Sequence, residues 1–177
     1  MNNNLRDFLK EFFPDYFKYV DNVIEDDRVT LLFETMNRHN KCPVCGSESS
    51  KYVTYYTRTI QDLPILDKTT YVKVRFKKMI CTNENCRVAY FNEALDEYVS
   101  PKRRYSNRLN DLMIKIALTN TAEGGSRLCL ERHIIISGDK LLQLAKEYEP
   151  KIDKDKITSI GVDDFALKKT IDMELFS

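Results

Sequence analysis

Four of the five cysteines stand in two close pairs, Cys42-Pro43-Val44-Cys45 and Cys81-Thr82-Asn83-Glu84-Asn85-Cys86. Cys-x₂-Cys and Cys-x₄-Cys spacings each suit two thiolates on one tetrahedral Zn²⁺, and four sulfurs complete such a site. Pro43 sets a turn inside the first pair, and Gly46 lets the backbone fold back beneath a metal. The Zn²⁺ role expected here is structural, because a hairpin with so little core gains its order from the ion. Two other uses of the thiols stay open. Disulfides belong to oxidising compartments, and a redox Cys-x-x-Cys belongs to a thioredoxin-like βαβ setting that the flanking residues lack. Cys129 falls on an apolar helical face and reads as core. His39, just before the first pair, is a stray fifth candidate, and His133 reads as structural or surface.

Those pairs need elements to hold them. Between them, Tyr52, Val53, Tyr55, Tyr56 and Ile60 form one aromatic and β-branched run, and Tyr71, Val72, Val74 and Phe76 form another. Together they predict a hairpin with a cysteine pair at each outer end. In the second run Lys73, Arg75 and Lys77 alternate with apolar residues, a period of two that puts the cations on one face. Upstream, Leu5, Phe8, Leu9 and Phe12 have helical spacing that Pro14 stops, and Phe17–Ile24 with residues 28–36 read as an earlier hairpin. Downstream the period becomes helical. Leu109, Leu112, Met113, Ile116 and Ala117 predict a helix capped by Ser106, Gly124-Gly125 interrupts, residues 126–132 form a short helix, and Ser137 caps a third that ends before Pro150. This layout predicts a helix-turn-helix in which Lys140, Gln143 and Lys146 lie on the reading helix.

Of the 177 residues, 42% are hydrophobic and 31% charged, which suits a folded protein and not a disordered one. No apolar run reaches the roughly 20 residues that span a bilayer, and the start lacks a secretory signal, so a cytoplasmic protein without a membrane partner is expected. The formal charge of +1 conceals an uneven distribution. Residues 1–41 carry a net −2, residues 42–100 a net +1, residues 101–149 a net +3 and residues 150–177 a net −1. The densest cationic groups are Lys73, Arg75, Lys77 and Lys78, then Lys102, Arg103, Arg104 and Arg108. Screening confines electrostatics to about 8–10 Å, so such clusters attract phosphate whatever the total charge. A solvated lysine-rich surface is the competing explanation.

Taken in order, Cys42-Pro43-x-Cys45-Gly46, Asp62-Leu63-Pro64, Arg75-Phe76, Cys81-x₄-Cys86 and Pro101-x-Arg103-Arg104 resemble the amino-terminal zinc-binding region of bacterial insertion-sequence transposases of the ISL-three type. Gly161-Val162-Asp163-Asp164-Phe165 is similar to the first strand of that family's catalytic core. The resemblance implies an RNase H-like fold with a DDE triad there, and it puts the first catalytic carboxylate on Asp163. It also implies two divalent ions, usually Mg²⁺, held only by a complete core. One aspartate cannot hold them, and residues 170–177 depart from the family pattern, so the expectation is a truncated transposase.

The expected fold is α+β: a zinc-stabilised β-hairpin module, then a three-helix helix-turn-helix unit, with a vestigial first strand of an RNase H-like core. The expected division is 1–41, an amino-terminal helix and hairpin; 42–100, the zinc module; 101–150, the helix-turn-helix; and 151–177, a linker and the start of the core. The leading functional expectation is nucleoid-associated binding of transposon inverted repeats without strand chemistry, with a second copy or a full-length transposase as a possible partner. Two alternatives stand beside it. One is a partial DDE enzyme completed by another chain, and the other is a zinc-binding protein-interaction module.

Overall fold

The computed structural model describes residues 3–36 and 40–149. A helix α1 (Asn3–Lys10) leads into two antiparallel strands, β1 (Phe17–Ile24) and β2 (Arg28–Thr35). Two short strands, β3 (Asn40–Lys41) and β4 (Glu48–Ser49), pair with each other. The long strands β5 (Tyr52–Ile65) and β6 (Lys68–Ile80) form an antiparallel ribbon, and β7 (Tyr90–Asn92) returns to pair with the end of β6. Helices α2 (Asn107–Thr119), α3 (Ala122–Glu131) and α4 (Gly138–Glu147) follow.

Both expected hairpins are present, but they are not separate modules. β2 pairs with β6 in parallel, from Arg28 opposite Thr69 to Glu34 opposite Arg75. The result is one mixed five-stranded sheet, ordered β1-β2-β6-β5 with β7 on the far end of β6. The expected fold is therefore corrected: strand outweighs helix, and the β5–β6 hairpin is the middle of a larger sheet. One face of that sheet packs Phe33, Ile60, Val72 and Val74 against Phe13, Leu95, Tyr98 and Val99. Full burial of side chains such as these stabilises the fold by about 1.5–3 kcal/mol each.

The second correction concerns the helices. Among the described residues no free-standing helix-turn-helix unit is present. Leu109, Met113, Cys129, Ile134, Leu141 and Leu144 form a small shared core, and Leu63 of β5 and Tyr105 pack into it, fastening the helices to the sheet. The chain at Tyr105 bridges in parallel to Gln61 at the edge of β5, with Gln61 N donating to the Arg104 carbonyl and Ser106 N to the Gln61 carbonyl. Ser106 and Ser137 do cap their helices, accepting from Leu109 N and Lys140 N. Gly124-Gly125, expected to interrupt, lies inside α3 instead, whose cap is Thr121. A Cβ on Gly125 would stand 2.5 Å from Leu141 Cδ2, so the glycine permits close helix approach and does not end the helix.

No helix among the described residues is long and apolar enough to cross a membrane. Asp163, the expected catalytic-core strand and His39 lie outside the described residues.

Candidate metal centre

The two cysteine pairs meet at the free end of the β5–β6 ribbon. The first knuckle sits between β3 and β4, where Gly46 N donates to the Cys42 carbonyl and Cys42 N to the Ser47 carbonyl, both at 2.9 Å. Gly46 has φ +75°, a left-handed conformation that a residue with a Cβ adopts only with strain. The second knuckle continues directly from β6. Cys81 N donates to the Ala89 carbonyl at 2.8 Å and Cys86 N to the Asn83 carbonyl at 3.0 Å. Thr82 Oγ1 donates to the Glu48 carbonyl at 3.1 Å and ties one knuckle to the other.

All four sulfurs lie within 4.8 Å of one another, with Cys42 Sγ 3.9 Å from Cys86 Sγ and Cys45 Sγ 3.6 Å from Cys81 Sγ. A tetrahedron with Zn–S bonds of about 2.3 Å has S–S edges of about 3.8 Å, so the observed spacing fits a metal. It is far from the roughly 2.05 Å of a disulfide, and the cysteines are free. Met79 and Phe91 pack beside Cys42, forming a third small core beneath the site. The thiols are electrostatically unequal. Cys45 is lowered to about 6, first by the hydrogen bond with the Ser47 hydroxyl and then by the Ser47 backbone N–H. Cys81 is raised to about 12: the Asn83 backbone contact lowers it, but desolvation and the neighbouring thiols outweigh that contact. Four cysteines in this arrangement support a structural zinc; Cys129 stays apart, fully buried in the helical core.

Residues 38–86 match the zinc-finger of transposase IS204/IS1001/IS1096/IS1165. That span holds all four cysteines and the whole β5–β6 ribbon. No curated protein and no solved structure matches the chain.

The expected cationic residues divide by their surroundings. Lys73 and Arg75 are exposed on β6, with Arg75 Nη1 2.9 Å from Glu34 Oε1 and its guanidinium 4.2 Å from the Tyr55 ring centre. Lys77 is only 9% exposed, its Nζ directed over the Tyr52 ring, and Lys78 lies on the opposite face near Tyr56 and Tyr90. Lys102, Arg104 and Lys146 are exposed. The others have internal partners. Arg103 meets Glu147 at 2.6 Å, and Glu147 accepts from Gln143, which in turn accepts from Lys140 at 2.9 Å. These bonds run along the polar side of α4, the side expected to read DNA.

Arg108 is likewise held inside the fold. Asp62, 1% exposed, accepts from Arg108 Nε at 2.8 Å and from Arg108 Nη2, from Tyr98 Oη at 2.7 Å, Ser106 Oγ at 2.5 Å and Leu63 N at 2.8 Å. Burial alone would raise the Asp62 carboxyl, but Arg108, Ser106 and Tyr98 together hold it below its ordinary value. Burial and the Asp62 charge push the Tyr98 phenol well up. Glu93 makes a similar junction nearer the metal site, accepting from Thr35 Oγ1, Lys77 N and Asn40 Nδ2. From the sequence, Asp62 enters only as part of the Asp62-Leu63-Pro64 motif and Glu93 does not enter; neither reads there as a structural group.

Proposed function

We propose that this chain is a zinc-ordered DNA-binding module of the insertion-sequence transposase type, and that it engages the terminal repeats of a mobile element. The observation that carries the reading is the zinc-finger match over residues 38–86, together with four sulfurs at metal-binding distances. The exposed cations Lys73 and Arg75 stand on the strand that enters the second knuckle, where pairing with β2 and β5 on either side fixes their position. Lys102, Arg104 and Lys146 supply further phosphate contacts in this reading. Arg108 contributes indirectly, by holding α2 to Asp62 of β5, while Arg103 ties the segment before α2 to Glu147, and Lys140 and Gln143 bond along α4.

The test is an electrophoretic shift of the full chain on duplexes carrying the element's inverted repeats, repeated across a salt series. Contact with three or more phosphates gives a slope of log K against log[salt] of about −2.7 or steeper. Equal affinity for a scrambled duplex removes end recognition and leaves general DNA binding. No shift even at low salt removes the DNA reading. The second reading, a protein-interaction module, is favoured by one feature: Leu66, 89% exposed, and Ile24, 65% exposed, form an apolar tip at the sheet end opposite the cysteines.

A further inference from the structure

The face of the sheet turned away from the main core is closed at both ends and open in the middle. At one end Thr69, which shares that face with Lys73 and Arg75 by alternation, donates to the carbonyl of His133 in the helical layer. At the other end Met79 packs with Cys42 and Phe91 against the metal knuckle. Between them Lys73 and Arg75 stand exposed, opposite exposed Thr59 and Thr57 of β5. Tyr55 comes next, opposite Lys77, and Tyr52 lies beside it with ring centres 5.1 Å apart. These tyrosines are 39% and 47% exposed, so two aromatic rings stand side by side at the surface next to the cations.

We infer that this window is a binding surface for unpaired DNA: Tyr52 and Tyr55 stack bases while Lys73 and Arg75 take the backbone. The inference rests on the DNA-binding reading and names the form of DNA. Three features favour a single strand over a duplex. Residues two apart on a strand repeat at about 6.8 Å, close to the separation of successive phosphates in an extended single strand. Adjacent exposed rings beside a cationic row are the combination that holds single strands without sequence preference, since every base has a π-face and a phosphate. A duplex keeps its bases stacked internally and offers those rings nothing to stack on. Charge complementarity also favours nucleic acid over an acidic-neutral peptide, because Lys18, Lys73, Arg75 and Lys77 on this face outnumber Glu34 and Asp21. Glu34 has a positional part: its 2.9 Å pair with Arg75 and the Tyr55 ring fix the guanidinium from two sides.

The experiment is fluorescence anisotropy of the zinc-loaded full chain with a labelled fifteen-nucleotide thymidine strand and, separately, with the same strand annealed to its complement. The wild type is expected to bind the single strand more tightly. Tyr55→Leu keeps an apolar side chain but removes the ring, and it weakens single-strand binding about tenfold or more. Tyr55→Phe retains wild-type affinity. Tyr90→Leu, on the opposite face beside Lys78, changes nothing. Zinc content and circular dichroism confirm that each variant is folded; should Tyr55→Leu fail this check, Tyr52→Leu carries the same expectation. Wild-type affinity in both Tyr→Leu variants overturns the inference, as does an equal loss in Tyr55→Phe or in Tyr90→Leu. If duplex binding persists while single strands bind no better, the stacking surface falls and the DNA-binding reading stands. If neither DNA binds, the reading beneath it fails as well.

Discussion

Replacing Arg108 with alanine should destabilise the protein through Asp62 of β5. Asp62 is 1% exposed and Arg108 supplies two of its hydrogen bonds, so the variant leaves a buried carboxylate with only Tyr98, Ser106 and the Leu63 amide. Removing one partner of a buried ion pair costs about 3–5 kcal/mol. The Arg108 side chain is 36% exposed, and solvent screening there places the expected loss near the lower end, about 3 kcal/mol. For a chain of this size that corresponds to a melting temperature lower by about 6–12 °C. Urea unfolding followed by circular dichroism measures it directly. Adding Asp62→Asn removes the unpaired charge and should recover part of the loss, since an unsatisfied neutral amide costs about 1–3 kcal/mol. The pH dependence gives a second check. The folded-state pKa of Asp62 lies below its ordinary value, so its stabilisation is complete above the unfolded pKa and is lost as pH falls through the folded one. Wild-type stability therefore falls below about pH 4. In Arg108→Ala that acid-sensitive contribution disappears. A loss under 1 kcal/mol at neutral pH, or an unchanged acid profile, would show that the pair is not what joins α2 to the sheet.

Other expectations follow from the same contacts. Chelating the metal, or Cys81→Ser, should disorder the two knuckles and β3–β4 while the Val72–Val74 core stays protected, read by amide hydrogen exchange; uniform loss of protection through β1 and β2 would contradict a local structural role. Gly125→Val should destabilise the helical end by about 2–3 kcal/mol, because Leu141 Cδ2 and Ile116 Cγ2 already stand 2.5 and 3.4 Å from where a Cβ would sit. A raised melting temperature would show that α3 and α4 have room to separate.

The metal cluster was legible because a tetrahedral site needs few residues at fixed spacings, and strand alternation around Lys73 and Arg75 is equally local. So were the helix caps at Ser106 and Ser137. What escaped was everything set by distant pairing. No period in residues 28–35 announces that β2 will lie parallel to β6, since both edges of a strand are chemically alike. Gly124-Gly125 reads as a break by propensity, and only the approach of Leu141 reveals a packing role. Arg108 belongs by sequence to a cationic cluster; its partner, Asp62, is 46 positions earlier. The helix-turn-helix expectation failed for the same reason: helical periodicity shows which face is apolar, but not that Leu63 and Tyr105 of the sheet side would fill the core beneath it.

The zinc-finger reading depends on the four thiolates holding one ion at the end of the β5–β6 ribbon. Zinc K-edge X-ray absorption of the full chain, purified without added chelator and quantified per polypeptide, measures that arrangement directly. The prediction is one zinc per chain with four sulfur ligands at about 2.3 Å. A substoichiometric metal, or a first shell containing nitrogen or oxygen in place of one of the sulfurs, would contradict it.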